Sequence, residues 1–311
     1  MPHTTAIPTG LLAELRHFHR HNPSLLDEAL PGLRLRPLTG GRNNRVFAWD
    51  SPDGEVCLKL YRTDKRDRAA CEYQALTHVA ACGVTAAPRP LWHDPDPELP
   101  AVAMSMVPGQ PVPELAEPTS SLPAVVAVLG SLRELPLGPF VDIPRVDSAT
   151  TYMKRIIEVW PGQLDEYADE PVTADMRSLL DAWHEHDDAA VLAEPAPRIF
   201  SRGDSNLLNW LWHEPDVRVV DWEFVGYSDT AYDAAELVEH PSAHAIDDER
   251  WISLLPDLGI NDDTTRRRFL AAQRTVALRW LSVLWKRRNK RADEFEYQVK
   301  RVRELMNHDY L

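Results

Sequence analysis

The stretch Arg202-Gly203-Asp204-Ser205-Asn206-Leu207-Leu208-Asn209, followed by Val219-Val220-Asp221-Trp222-Glu223, decides how this chain is read. The pattern predicts a strand over 207–212, a turn over 213–216 and a returning strand over 217–221. A hairpin of that length sets Asn209 beside Asp221, with Asp204 in the loop just before it. An amide oxygen and a carboxylate so placed can hold Mg²⁺, a hard cation that takes oxygen ligands. A second carboxylate nearby can orient a substrate hydroxyl and accept its proton. Phosphoryl transfer from ATP asks for that division of labour, because its catalysis is mostly positioning and charge stabilisation. Arg202-Gly203-Asp204 also spells an adhesion tripeptide, but here it runs straight into an apolar strand.

A second constellation lies upstream, in the order such chemistry requires. From Leu38 the chain reads Leu-Thr-Gly-Gly-Arg-Asn-Asn-Arg-Val-Phe-Ala-Trp, then Glu55-Val56-Cys57-Leu58-Lys59-Leu60-Tyr61. This predicts strand, Gly/Asn turn, strand, Asp53-Gly54 turn, strand. Gly40 and Gly41 let backbone N–H groups approach phosphate oxygens with no Cβ in the way. Lys59 shares a strand face with Cys57 and Tyr61, while Val56, Leu58 and Leu60 point the other way. A Lys inside an apolar strand needs a counter-charge. The next segment, 65–82, repeats apolar residues at helical spacing (Ala69, Tyr73, Leu76, Ala80), with Glu72 beside that stripe. Folded back against Lys59, Glu72 would leave the ammonium aimed at the α/β-phosphates.

Taken together, these residues resemble the aminoglycoside phosphotransferase and choline kinase family, small-molecule kinases built on the two-lobed protein-kinase-like fold. The Gly-Gly-Arg-Asn-Asn-Arg-Val turn, Lys59, Glu72, Asp204, Asn209 and Asp221 fall in family order, over roughly residues 33 to 240. The resemblance implies an α+β fold, with a small antiparallel-sheet N-lobe over 1–107 and a mainly helical C-lobe over 108–311. It makes Asp204 the catalytic base, Asn209 and Asp221 the metal ligands, and Lys59 the phosphate clamp held by Glu72. Ala101-Val102-Ala103-Met104-Ser105-Met106-Val107-Pro108-Gly109 looks like the hinge, where the Ser105 carbonyl and the Val107 N–H would bond adenine. Cys57 and Val46 would lie over the adenine ring; the alternative for Cys57 is plain core between sheet and helix. Two positions depart from the pattern. Arg202 stands where the family usually has His, and either props the loop or adds a positive charge near the phosphates. Glu223 follows Asp221-Trp222 and either ligates the metal or pairs with a base.

Composition narrows the remainder. A 311-residue chain with 44% hydrophobic and 26% charged residues is ordinary for a globular protein of two unequal lobes. No stretch has the length of a membrane span and the start lacks the pattern of a signal peptide. Three cysteines, Cys57, Cys71 and Cys82, make neither a disulfide framework nor a zinc motif, which fits a reducing cytoplasm. A net charge of −14 argues against nucleic acid as partner and suits a cationic small substrate carrying a hydroxyl.

Further helices are expected at 122–135, 149–160, 173–188, 229–239, 264–288 and 292–307. Phe269, Ala272, Val276, Trp280 and Val283 form one stripe, and the basic run 286–291 reads as a solvated helix end. Asp233 either braces the catalytic loop or is a helix-start carboxylate favoured by the macrodipole. The reading is an ATP- and Mg²⁺-dependent kinase of a small hydroxylated molecule. The alternatives are a non-catalytic pseudokinase and a protein kinase. A pseudokinase would be expected to lack Lys59, Asp204 or Asp221, and a protein kinase to have an Ala-Pro-Glu motif and room for an activation loop.

Overall fold

A computed structural model describes residues 7–38 and 44–307; Gly40 and Gly41 lie outside them. The N-terminal part runs α1 (Thr9–His21), α2 (Leu26–Ala29), β1 (Leu35–Pro37), β2 (Arg45–Ser51), β3 (Gly54–Leu60), α3 (Arg68–Ala81), β4 (Pro90–Asp94), β5 (Ala101–Ser105) and β6 (Gln110–Pro111). Then follow α4 (Leu122–Arg133), α5 (Ala149–Lys154), α6 (Trp160–Asp165), α7 (Pro171–Glu185), α8 (Asp188–Ala193), β7 (Ile199–Ser201), β8 (Trp210–His213), β9 (Asp216–Val219), β10 (Gly226–Ser228), α9 (Thr230–Val238), α10 (Asp248–Leu254), α11 (Asp263–Trp285) and α12 (Ala292–Asn307). The result is an α+β protein with an antiparallel N-terminal sheet and a helical C-terminal part. The backbone groups into two units, Met1–Gln110 with Leu208–Phe224, and Pro111–Leu207 with Val225–Leu311.

In the first unit the sheet order is β1-β2-β3-β5-β4, all pairs antiparallel. Its two faces differ because side chains alternate. Phe47, Trp49, Val56, Leu58, Leu60, Ala101 and Ala103 form a buried apolar core with Leu12 and Leu15 of α1. Cys57, Lys59 and Tyr61 belong to the opposite face, where Glu72 of α3 meets Lys59 and Tyr61. The hairpin β8–β9 joins β6 in a second sheet, ordered β6-β8-β9. Gly109 makes that join possible. Its φ is +136°, and a Cβ there would stand 2.9 Å from the Leu211 Cβ and the Trp212 carbonyl oxygen.

The second unit is built on α11, which begins with a capping box. The Asp262 carboxylate accepts from the Thr265 N–H at 2.8 Å, and Thr265 Oγ1 accepts from the Asp262 N–H at 3.3 Å. The expected single stripe understates this helix, since most of its residues from Phe269 to Trp285 are buried. Several of its buried polar side chains are paired. Gln273 donates to Glu239 at 2.8 Å, Arg274 forks onto Asp188 at 2.6 and 2.9 Å, and Thr275 Oγ1 accepts from the Trp183 indole at 3.1 Å. Around Leu278, Leu281 and Trp285 pack Trp160, Trp183, Phe295 and Val302.

Several expected boundaries move, each for a local reason. The helix expected at 149–160 passes through a π turn, Arg155–Val159, before α6. Pro161 has no N–H to return to the preceding turn, and the widened turn absorbs it. The strand expected from 207 begins at Trp210, because Leu207–Asn209 forms a 3₁₀ turn. Its partner ends at Val219, and Asp221 takes a left-handed φ of +65°, which a short polar side chain tolerates. α3 starts at Arg68, capped by Asp67 accepting from the Ala70 N–H at 3.1 Å. The basic run 286–291 is partly engaged: Arg288 binds Glu170 at 2.8 Å and lies 4.0 Å over the Trp285 ring.

Leu281 is fully buried at the centre of this second core. Leu281→Ala should cost about 2–5 kcal/mol, from lost transfer energy plus the cavity. Urea unfolding followed by far-UV circular dichroism reads this as a lower midpoint. An unchanged midpoint would mean that α11 does not organise the unit.

Candidate active site

The nucleotide half of the expected site lies within the first unit and centres on one ammonium. Lys59 Nζ donates to Glu72 Oε2 and to Asp221 Oδ1, both at 2.6 Å, and Glu223 Oε2 stands 3.7 Å away. Burial alone would push the ammonium toward neutrality, but Asp221, Glu72 and Glu223 hold it charged, well above its ordinary range. Burial lifts the Glu72 carboxyl upward, and the Lys59 charge opposes it. Tyr61 also donates to Glu72 Oε2, and the Trp222 backbone N–H donates to Oε1 at 3.1 Å. Both carboxylate oxygens of Glu72 are therefore engaged, and α3, β3 and the chain after β9 meet at one residue.

Cross-strand register places the other expected nucleotide residues. Val46 lies opposite Lys59, Ala48 opposite Cys57, and Met104 opposite Cys57 on the other side. Val46, Cys57 and Lys59 thus share a face. Ser105 closes β5, donating from its N–H to the Arg89 carbonyl at 2.8 Å, and Val107 follows two residues on, half-buried.

Asn209 and Asp221 stand at the open end of the β8–β9 hairpin, where the Val220 N–H donates to the Asn209 carbonyl at 2.9 Å. The Asp221 side chain is 31% exposed. The donor set at this end is all hard oxygen, which fits Mg²⁺. Carboxylate oxygens of Glu72, Asp221 and Glu223 come within 4.8 Å of one another. Glu223, however, is spent on bases. It accepts from Arg68 at 2.7 Å and from the Asn44 amide at 2.6 Å, while its carbonyl accepts from Arg66 at 3.1 Å. Pairing with a base, one of the two roles open to it, is present.

The Asp204 loop belongs to the second unit. Asp204 Oδ1 accepts from the Asn206 N–H at 3.0 Å, and Arg202 NH1 is 3.6 Å from Oδ2. Ser201 Oγ accepts from the Gly203 N–H at 3.1 Å and donates to Asp233 at 3.0 Å. Arg145 donates to the Gly203 carbonyl at 2.9 Å and to Asp233 at 2.7 Å, and is paired with Glu236. Asp233 thus braces the loop. Burial lifts Glu236 to about 7, against the pull of Arg145. Arg145 is fixed in turn by Gly226, where a Cβ would fall 2.3 Å from the Arg145 nitrogen. Arg145 carries no motif and follows a proline in an irregular stretch, so no periodicity points to it. Tyr61 was legible only as a face-mate of Lys59.

A model of the phosphotransferase enzyme family (APH) matches residues 34–299. The chain belongs to this family. As a member it is an ATP-dependent small-molecule kinase. Solved structures share its fold. A thermostable aminoglycoside phosphotransferase APH(4)-Ia, in ternary complex with AMP-PNP and hygromycin B, is 17% identical at a TM-score of 0.64, covering 88% of this chain and 93% of that one. A choline/ethanolamine kinase family protein from Mesorhizobium loti is 20% identical at 0.56, covering 96% and 95%. Amicoumacin kinase hAmiN, in complex with AMP-PNP, Ca²⁺ and Ami, is 14% identical at 0.63, covering 95% and 96%. No curated protein matches the chain.

The site chemistry has a direct readout in the thiols. Burial, reinforced by Glu72, pushes Cys57 up to about 12, whereas burial pushes Cys71 up to about 11; Cys82 is exposed. Thiolate is the reactive form, so at pH 8 Cys57 should hold on the order of one part in ten thousand of it. Iodoacetamide should label Cys82 first, then Cys71, with Cys57 last and its rate rising about tenfold per pH unit up to pH 10. Peptide mapping at timed intervals checks this order. Cys57 reacting as fast as Cys82 would contradict its placement beside Lys59 and Glu72.

Proposed function

We propose that this phosphotransferase moves the γ-phosphoryl group of ATP to a hydroxyl of a small organic molecule, with Asp204 as general base. The observation that carries the reading is Lys59 held between Glu72 and Asp221, the arrangement a phosphate clamp requires. In this reading Lys59 takes the α/β-phosphates, and Val46 and Cys57 line the adenine side with the Ser105 carbonyl and Val107 N–H. Gly40 and Gly41 form the phosphate turn. Residues 1–107 form the nucleotide lobe and 108–311 the acceptor lobe, although the 208–224 hairpin groups with the first. Asn209 and Asp221 would hold Mg²⁺, which supplies neutralisation of phosphate charge when bound. Asp204 accepts the hydroxyl proton as the acceptor oxygen bonds to phosphorus, and the bond to ADP breaks. The bracing of its loop by Arg145 and Asp233 keeps that carboxylate in one orientation.

Solved structures of similar fold support a class of acceptor. APH(4)-Ia was solved with hygromycin B, and APH(9)-Ia with ADP and spectinomycin. We take the acceptor to be a hydroxylated, amine-bearing small molecule of aminoglycoside, amino-sugar or aminoalcohol type. The free thiols Cys57, Cys71 and Cys82 fit a reducing cytoplasm. Among the described residues, no helix is long and apolar enough to cross a membrane.

Asp204→Ala should lower kcat about 10²–10⁴-fold while leaving AMP-PNP affinity within twofold, because a general base acts mostly in the transition state. An ADP-release screen over aminoglycosides, amino sugars and aminoalcohols finds the acceptor first. A variant with near wild-type kcat would remove Asp204 from the mechanism.

Asp221→Ala should abolish the gain in AMP-PNP affinity that Mg²⁺ gives, and Asn209→Ala should weaken it less. A carboxylate brings the ion a full charge and an amide only a dipole. Calorimetric titrations with and without Mg²⁺ decide it; equal Mg²⁺ gains in both variants and the wild type would sink the ligand assignment.

A further inference from the structure

The loop that carries Asp204 is tied down at its exit by a relay that no catalytic motif includes. The Leu207 backbone N–H donates to Ser242 Oγ at 2.8 Å, across 35 residues of sequence. Ser242 Oγ in turn lies 2.7 Å from His240 Nδ1. The backbone indicates the direction of the relay. The Ser242 backbone N–H donates to the same Nδ1 at 3.1 Å, so this nitrogen is the unprotonated one. With Nδ1 an acceptor, the hydroxyl can share it at 2.7 Å, and an oxygen lone pair accepts from Leu207.

The imidazole is itself immobilised. Its ring packs edge-on to Trp280, with centroids 5.0 Å apart at 84°. Burial first, then the neighbouring His244, Arg202 and Arg145, pulls His240 down to about 3. Nδ1 therefore stays an acceptor at every working pH, and the relay does not reverse.

The position matters because of what Leu207 begins. It opens the 3₁₀ turn Leu207–Asn209, three residues after Asp204 and two before Asn209. A 3₁₀ turn leaves its first N–H groups without partners inside the turn. Ser242 satisfies one of them. From these bonds we infer that Ser242, oriented by His240, is a positioning residue that holds the exit of the Asp204 loop. Arg145 and Asp233 hold its entrance, through Gly203 and Ser201. The inference rests on Asp204 being the base.

The test uses the full chain with Mg²⁺-ATP alone, water serving as the acceptor, and follows ADP release. Ser242→Ala should lower kcat at least tenfold and change KM for ATP less than kcat, since Lys59 with its Glu72 and Asp221 pairs is untouched while the turn that carries Asn209 is loosened. Ser242→Thr keeps a hydroxyl and should recover the rate to within threefold. Hydrogen exchange of the peptide containing Leu207 should quicken in Ser242→Ala and return in Ser242→Thr. This second readout stands if the alanine variant is too unstable for kinetics, because the threonine variant and the wild type still bracket it: a threonine variant that exchanges as fast as an unprotected loop would overturn the inference. Wild-type kcat in Ser242→Ala would overturn it as well, leaving Asp204 as base. Wild-type ADP release in Asp204→Ala would instead remove the base, and the clamp's purpose with it.

Discussion

One ammonium among three carboxylates organises the first unit. Lys59 touches Glu72 and Asp221 at 2.6 Å with Glu223 at 3.7 Å, and both Lys59 and Glu72 are buried. Taking such charges out of water costs several kcal/mol for each ion, and mutual attraction offsets this only with good geometry and further hydrogen bonds. Here the further bonds exist, from Tyr61 and from the Trp222 N–H. The cluster is therefore poor evidence for stability and good evidence for specification. It forces one register among β3, α3 and the end of the β8–β9 hairpin, because any slip would leave a buried charge without its partner.

Glu223 shows how the same logic assigns a residue that motif matching leaves open. Three carboxylates around one amine would repel, and Arg68 with Asn44 relieves that repulsion on one of them. Arg66 and Arg68 are in turn spread over the Phe224 ring, at 4.5 and 5.9 Å. Glu223 thus joins the start of α3 to the chain after Asp221. Asp221 alone of the three keeps substantial exposure, which is the property a metal ligand at the hairpin mouth needs.

The parts legible in the sequence are those set by short spacings. The two faces of β3 follow from alternation, and Lys59 with Glu72 follows from the need to neutralise a strand Lys. α12 appears at 292–307 as its periodicity says. The parts not legible depend on partners far along the chain. The strand at 207 gave way to a 3₁₀ turn because Leu207 finds Ser242, and nothing near 207 announces this. Arg145, buried among Asp233, Glu236 and Tyr232, sits after a proline in an irregular segment. Gln273 and Arg274 break the apolar pattern of α11, yet they are interior because Glu239 and Asp188 meet them. Tertiary pairing overrode pattern at each of these positions.

Arg202, two residues before Asp204, can now be read physically. An imidazole offers one donor and one acceptor, whereas a guanidinium offers five donors and no acceptor. Arg202 thus offers the loop no acceptor, and the loop N–H groups find theirs elsewhere. The Gly203 N–H finds Ser201 Oγ, the Asn206 N–H finds Asp204 itself, and the Leu207 N–H finds Ser242. The carbonyl side is met by Arg145 at Gly203. Ser201, Ser242, Asp233 and Arg145 each support the loop. Arg202 is a buried positive charge 3.6 Å from the Asp204 carboxylate. That charge acts on the carboxylate at short range, and the net acidity of the whole chain says nothing about the field there.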